Sequence, residues 1–307
     1  MVTALLSNDT TAVMLTPAVL ATARAVRVPP LASLYACAFV ANAASFILPI
    51  SNPANLVVFD GHLPTLRPWL SGFGLPSIAA LVATFAILAL IFRADLAIRY
   101  QPSVGLPDMT RGGAAATAML AVSAIALVVA ASIGVNVGYT ALVAAIVSVA
   151  IVAMRDGAVV AYVIRNSAWK IVALVAVLFV VVTELDEHGA IGAVRGFFSS
   201  MAASGLAGGW GIGAATTVAS AAINNLPVAL VGATALHGLT LQPWVERALL
   251  VSVDVGPNLA LTGSLATLIW IGHLHRAGIR IRWWEFLRVG AAVTAPSLLL
   301  ALLLLRP

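Results

Sequence analysis

The chain has 307 residues, of which 62% are hydrophobic and 9% charged, with a mean hydropathy of +1.06. Soluble domains carry about 25% charged residues, so a water-soluble fold is excluded and a membrane protein is implied. The net charge of +5 and the pI near 10.1 do not signal nucleic-acid binding, because the 16 basic residues gather in short loops, where the positive-inside rule accounts for them.

In chain order, residues 1–6 lack the basic start and cleavage pattern of a signal peptide. They lead into the polar triplet Ser7-Asn8-Asp9 and an apolar arm, 10–23, that reads as too short to span. Residues 31–58 read as a long helix broken at Ser51-Asn52-Pro53-Ala54-Asn55. Spans follow at 76–92, 113–133, 138–154 and 169–183, and several apolar runs exceed the roughly 18 residues needed to cross about 30 Å of hydrocarbon. Residues 191–203 are weakly amphipathic. Residues 205–222 and 226–239 flank Asn224-Asn225. A second broken helix, 249–271, is interrupted by Gly256-Pro257-Asn258 and Thr262-Gly263-Ser264, and 289–305 closes the chain. Backbone that leaves a helix at membrane depth is tolerated only where protein or a water-filled cavity re-satisfies it. Paired breaks in corresponding places point to a transporter's substrate site. If Ser7-Asn8-Asp9 belongs to such a break, the chain is expected to begin partway through a larger transporter.

Loop charges test this map. If each span crosses once, the loops holding Arg24 and Arg27, 93–111 and 155–170 share one side, the cytoplasmic one. The connection 60–71, the turn 134–137 and the acids Glu184, Asp186 and Glu187, read as a solvated loop, fall opposite. Arg276, Arg280, Arg282 and Arg288 also lie inside if 205–239 is a re-entrant hairpin entering from outside. Residues 10–23 are then the returning arm of a hairpin entering from the cytoplasm. The expected fold is an all-α polytopic membrane protein with inverted-topology repeats, re-entrant hairpins and broken transmembrane helices. Residues 1–112 form the first repeat with its linker, and 113–307 the second.

Asp9 and Asp254 are the acids nearest the breaks. An intramembrane acid is costly and a functional candidate by default, and desolvation favours the protonated carboxyl that a proton carrier needs. Helix capping is the rival reading. Asn8, Asn52, Asn55, Asn224, Asn225 and Asn258 can donate and accept together, either to substrate hydroxyls or to freed backbone. Ser7, Ser51, Thr262 and Ser264 add hydroxyls at the same places, and Gly256 and Gly263 permit close approach. Helix N-termini after the breaks aim partial positive charge inward, favouring an oxygen-rich ligand. The single cysteine, Cys37, excludes an intrachain disulfide, and a soft-metal trap needs several thiolates. His273 and His275 read as interfacial, as does Trp283-Trp284. No Walker-type loop, dinucleotide fingerprint or nucleophile elbow occurs, so no enzyme activity, cofactor, resident metal or nucleic-acid partner is expected.

At these residues the chain resembles the arsenite efflux pump family, the arsenical pump membrane proteins of the wider ion transporter superfamily. The segments that carry the resemblance are SNDTTAVMLTP at 7–17, ANAASFILPISNPANLVV at 41–58, INNLPVALVGA at 223–233 and DVGPNLALTGSLATLIW at 254–270. The resemblance implies two inverted repeats and export of arsenite or antimonite in exchange for protons, sometimes with an ATPase subunit. By position it implies that Asn8, Asp9, Asn52, Asn55, Asn224, Asn225, Asp254 and Asn258 line the site. Two departures stand out. Some members carry a lysine and a proline where this chain has Asn258 and Leu261, and the family has further spans before the first hairpin. Arsenite is a small uncharged trihydroxide at neutral pH, which amides, hydroxyls and backbone groups can bind without thiolates. A sodium- or proton-coupled carboxylate or anion carrier and a non-transporting fragment stand as alternatives. The expected partners are membrane lipid, a small oxyanion or neutral metalloid, and the coupling proton.

Overall fold

Long apolar runs leave backbone amides no partner but one another, and the chain accordingly folds into helices. The computed structural model describes residues 2–98, 111–154, 158–166, 169–237, 239 and 242–305. Among the described residues there is no strand, and the α-helices run in the following order. First come α1 (Val2–Leu6), α2 (Asn8–Val26), α3 (Leu31–Ala43), α4 (Pro53–Val58), α5 (Leu66–Ile91) and α6 (Arg93–Leu96). Then come α7 (Arg111–Ile133), α8 (Val137–Ala153), α9 (Ala158–Asn166), α10 (Trp169–Glu187) and α11 (Gly192–Ala203). The last are α12 (Leu206–Ala222), α13 (Asn225–Leu236), α14 (Pro243–Val255), a 3-10 turn at Gly256–Leu259, α15 (Leu265–Arg276) and α16 (Trp283–Leu304). Among the described residues, three helical segments are long and apolar enough to cross a membrane: Leu66–Ile91, Ala114–Ile133 and Trp283–Leu304.

Two apolar cores lie on either side of the breaks. One gathers Phe46, Ala54, Val58, Trp69 and Phe73 with Leu249, Leu250 and Val253. The other gathers Leu34, Tyr35 and Phe39 with Trp270, Leu274 and Phe286. Thus α3 belongs to the second core and α4 to the first, whereas α14 belongs to the first and α15 to the second. The two broken helices therefore pass between the cores in opposite senses. The Trp69 indole donates to the Phe46 carbonyl at 3.1 Å, and the Trp270 indole to the Leu34 carbonyl at 2.8 Å, so each core holds a tryptophan whose N–H is satisfied by backbone. The long helices α5 and α16 pack along each other and are joined by a buried hydroxyl pair, Thr84–Ser297, at 2.9 Å. Helices α7 and α8 pack mostly on each other.

Several boundaries differ from the sequence reading. Helix α5 begins at Leu66, not at 76, because Pro76 lies inside the helix rather than at its first turn. Interior prolines are tolerated in transmembrane helices when neighbours re-satisfy the freed carbonyl. The arm after Ser7 extends to Val26, giving α2 19 residues. The second broken helix starts at Pro243 and ends at Arg276, not 249 and 271, with proline in the first turn of α14, where its missing N–H costs nothing. Glu184, Asp186 and Glu187 are not in a loop but in the last turns of α10, where Asp186 pairs with Arg195 at 3.3 Å. The region between α8 and α10 holds a short helix, α9. Most of the expected linker 93–111 falls outside the described residues.

Two observations bring connections between helices together. The Arg24 guanidinium donates to the Ala277 carbonyl at 3.1 Å, which puts the turn after α2 beside the turn after α15. Asp60, Asp186, Arg195, His237 and Glu246 line one cavity of ≈ 410 Å³. Of these, Asp60 and Asp186 are assigned to the side opposite Arg24 by loop charge.

Candidate functional site

The first break is repaired by an amide. Helix α3 stops at Ala43. Pro49, in the unwound segment six residues past that end, has no N–H to give the Ser45 carbonyl. The freed carbonyls of Ser45, Leu48 and Pro49 all accept from the Asn55 side-chain NH2, at 2.9, 3.3 and 3.2 Å. The chain re-enters a helix at Pro53, and Asn52 caps it by accepting from the Ala54 N–H at 3.1 Å.

The second break follows the same plan. Helix α14 stops at Val255 and tightens into the Gly256–Leu259 turn, and Ser264 caps α15 by accepting from the Thr267 N–H at 3.1 Å. Asn52 and Ser264 share an extended backbone, φ −149° and −146°. A side chain at Gly256 would lie 2.8 Å from the Thr217 carbonyl and 2.9 Å from Ser220 Cβ, so glycine is what lets α12 seat on the turn.

Each break is tied to the tip of a hairpin. In both, the residue at the bend takes a positive φ, 91° at Ser7 and 147° at Asn224, and caps the returning arm with its side chain. Such backbone costs of order 1–3 kcal/mol and persists where the surroundings hold it. The holding bonds match. The Asn8 N–H donates to the Ser51 carbonyl at 3.2 Å, and the Asn225 N–H to the Gly263 carbonyl at 2.9 Å. Ser51 also donates from its hydroxyl to the Ala4 carbonyl at 3.0 Å, and the Asn224 amide donates to the Thr262 carbonyl at 3.0 Å.

Between the breaks lies a buried polar layer. Asn52 donates to Asp254 Oδ1 at 2.6 Å, and Asn42 donates to Asn258 Oδ1 at 2.9 Å. Asp254 is 1% exposed and Asn258 0%, so the cluster is closed. Among the described residues, Asp254 Oδ2 and Asn42 Oδ1 have no hydrogen-bond partner, and neither do the hydroxyls of Thr217, Ser220 and Ser252 on α12 and α14. Buried polar atoms without partners are uncommon in folded proteins and call for an explanation such as a ligand, an ion or water.

The expected residues do not all converge. Asn52, Asp254 and Asn258 meet directly. Asp9, in the first turn of α2, faces the Ala266 backbone in the first turn of α15. Asn8 is buried with its side-chain oxygen on the Asp9 N–H. Ser7, Ser51, Asn55, Asn224, Asn225 and Ser264 are engaged with backbone, and Thr262 is exposed. The Asn55 NH2 stitches three carbonyls of the break, while its Oδ1 has no partner among the described residues. Asn55→Ala is expected to lower thermal stability in detergent by about 1–3 kcal/mol, because buried carbonyls lose their donor, while KM stays at the wild-type value. Unchanged melting with a raised KM would reverse that assignment.

Asn42, Thr217, Ser220 and Ser252 were not singled out from sequence. A signal existed for Asn42: it is the residue before the last of α3, as Asp254 is the residue before the last of α14.

Comparison with known proteins gives a consistent result. A family model described as arsenical pump membrane protein matches residues 1–306. An arsenical pump membrane protein of Escherichia coli is 31% identical, covering 98% of this chain and 73% of that protein, and one of Yersinia enterocolitica matches to the same extent. A protein of Mycobacterium tuberculosis described as an uncharacterized transporter is 25% identical over 97% of this chain and 72% of its own length.

Proposed function

The chain belongs to the arsenical pump membrane protein family, and from that premise we propose that it exports arsenite and antimonite in exchange for protons. It is a multi-pass membrane protein, and its activity is a transport cycle. The observation that carries the reading is Asp254: a carboxyl 1% exposed, bonded through one oxygen to Asn52 at 2.6 Å, placed where two helices unwind toward each other. A carboxyl there can take up and release a proton, and the surrounding amides and hydroxyls suit a small uncharged trihydroxide.

In this mechanism Asp254 carries the coupling proton, with Asp9 at the α15 N-terminus as the second candidate. Asn52 and Asn258 hold substrate oxygens, and Asn8, Asn224, Asn225, Ser7, Ser51, Ser264 and Gly256 keep the hairpin tips and breaks in register. Residues 1–112 and 113–307 act as inverted repeats. The opposite passage of the two broken helices between the cores supports this division. One part of each repeat rocks against the α5–α16 pair, opening the closed polar layer to either side in turn.

The test is arsenite uptake into everted vesicles with and without an imposed pH gradient. Uptake that follows the gradient is expected. Sodium-dependent movement of an organic acid without arsenite flux would replace the reading with a carboxylate carrier. No thiol enters the scheme. Cys37, buried at 9% exposure within α3, is expected to tolerate change to serine with flux within about twofold of wild type, since one buried S–H is a weak donor among apolar neighbours. Loss of all arsenite flux in that variant would restore a thiolate role.

A further inference from the structure

The two broken helices end alike, and the chemistry at their ends differs. Helix α3 ends at Ala43 and α14 at Val255, so Asn42 and Asp254 occupy the same place on their helices. Both are 1% exposed. Both reach across to the unwound segment of the other broken helix, Asn42 to Asn258 and Asp254 to Asn52. Each keeps one buried oxygen that has no partner among the described residues.

The orientation of Asn42 follows from its neighbours. The Phe39 carbonyl can only accept, and it lies 3.5 Å from Asn258 Nδ2. The Asn258 oxygen accepts from Asn42 Nδ2 at 2.9 Å, and Asn42 Oδ1 is left without a partner among the described residues. Asn42 Oδ1 and Asp254 Oδ2 thus stand among the unpartnered buried oxygens of the described residues, with Asn55 Oδ1 and the hydroxyls of Thr217, Ser220 and Ser252; these two sit at matching helix ends, one on a titratable group and one on a group that stays neutral.

We propose that Asn42 is a substrate-binding residue: its side-chain oxygen accepts a hydrogen bond from one hydroxyl of the uncharged trihydroxide, as the neutral counterpart of Asp254. The division of labour is chemical. Two carboxyls at mirrored positions would repel or share a proton, whereas one carboxyl and one amide let a single site hold a neutral ligand and a single proton. This assignment rests on the arsenite reading above.

The experiment is the concentration dependence of arsenite uptake in everted vesicles at a fixed pH gradient, normalised to transporter in the membrane. Asn42→Ala is expected to raise KM about three- to tenfold, the effect of one net hydrogen bond, with Vmax within about twofold. Asn42→Asp keeps an acceptor oxygen in place and is expected to hold KM near wild type at acid pH. Should the alanine variant fail to accumulate, Asn42→Ser, which withdraws the oxygen toward the helix, carries the same expectation. Unchanged KM in the alanine or serine variant, or equal falls in Vmax with KM constant, overturns the proposal and leaves the arsenite reading intact. A wild-type chain that moves no arsenite removes both.

Discussion

Asp254→Asn is expected to reduce arsenite movement driven by a pH gradient to the level of vesicles without the protein. The substitution is nearly isosteric. The amide oxygen can still accept from Asn52, which now lies 2.6 Å from Asp254 Oδ1, so the cross-link between the breaks survives. Only the capacity to exchange a proton is lost. The cost in stability is therefore small, and the protein should reach the membrane in normal amount. Arsenite binding at equilibrium should change by no more than about threefold, since one hydrogen-bonding group replaces another. The predicted signature is binding without driven flux. Flux in Asp254→Asn at the wild-type level that still follows pH would take Asp254 out of the coupling and leave Asp9, in the first turn of α2, as the carrier.

The breaks were legible in the sequence because polar residues interrupt apolar runs, but their extent was not. Residues 44–50 are largely apolar, and hydropathy does not separate an apolar loop from an apolar helix. What holds the segment after α3 unwound is an amide, Asn55, that collects its freed carbonyls from farther along the chain, with Pro49 among them. That repair is a tertiary fact, and only the proline is visible locally. Placing the break at 51–55 then hid the correspondence of Asn42 with Asp254, which depends on knowing where both helices end. The hairpin bend at Asn224 could be read because an asparagine pair before Leu226 is a capping signal. The start of α5 could not, because Pro76 looks like a first-turn proline and only packing against α16 reveals it as interior. The hydroxyls of Thr217, Ser220 and Ser252 gave no signal, since Ser and Thr in apolar helices more often bond to their own backbone.

The long helices make a second demand that no polar residue advertises. Phe46 and Asn258 are each the third residue beyond a helix end, Ala43 and Val255. The carbonyl of Phe46 accepts from the Ser77 hydroxyl of α5 at 3.2 Å. The carbonyl of Asn258 instead meets Gly290 of α16, where an added Cβ would lie 1.9 Å from the oxygen and 2.9 Å from its carbon. The obstacle is backbone, so no rotamer change relieves it. Gly290→Ala must push α16 away from the second break or push the break out of place. Overpacking of this kind costs about 1–3 kcal/mol and sometimes more. The displaced segment is the one that presents Asn258 to Asn42. Gly290→Ala is therefore expected to lower the melting temperature in detergent by several degrees and to abolish arsenite flux, although it removes no polar group. Gly290→Ser should fail in the same way, because the clash is with Cβ. Ser77→Gly on α5 should cost only about 1 kcal/mol, one buried hydrogen bond, and leave flux measurable. A Gly290→Ala protein with wild-type melting and wild-type flux would mean that α16 does not seat against the unwound turn, and with it would go the picture of two breaks braced by one helix pair.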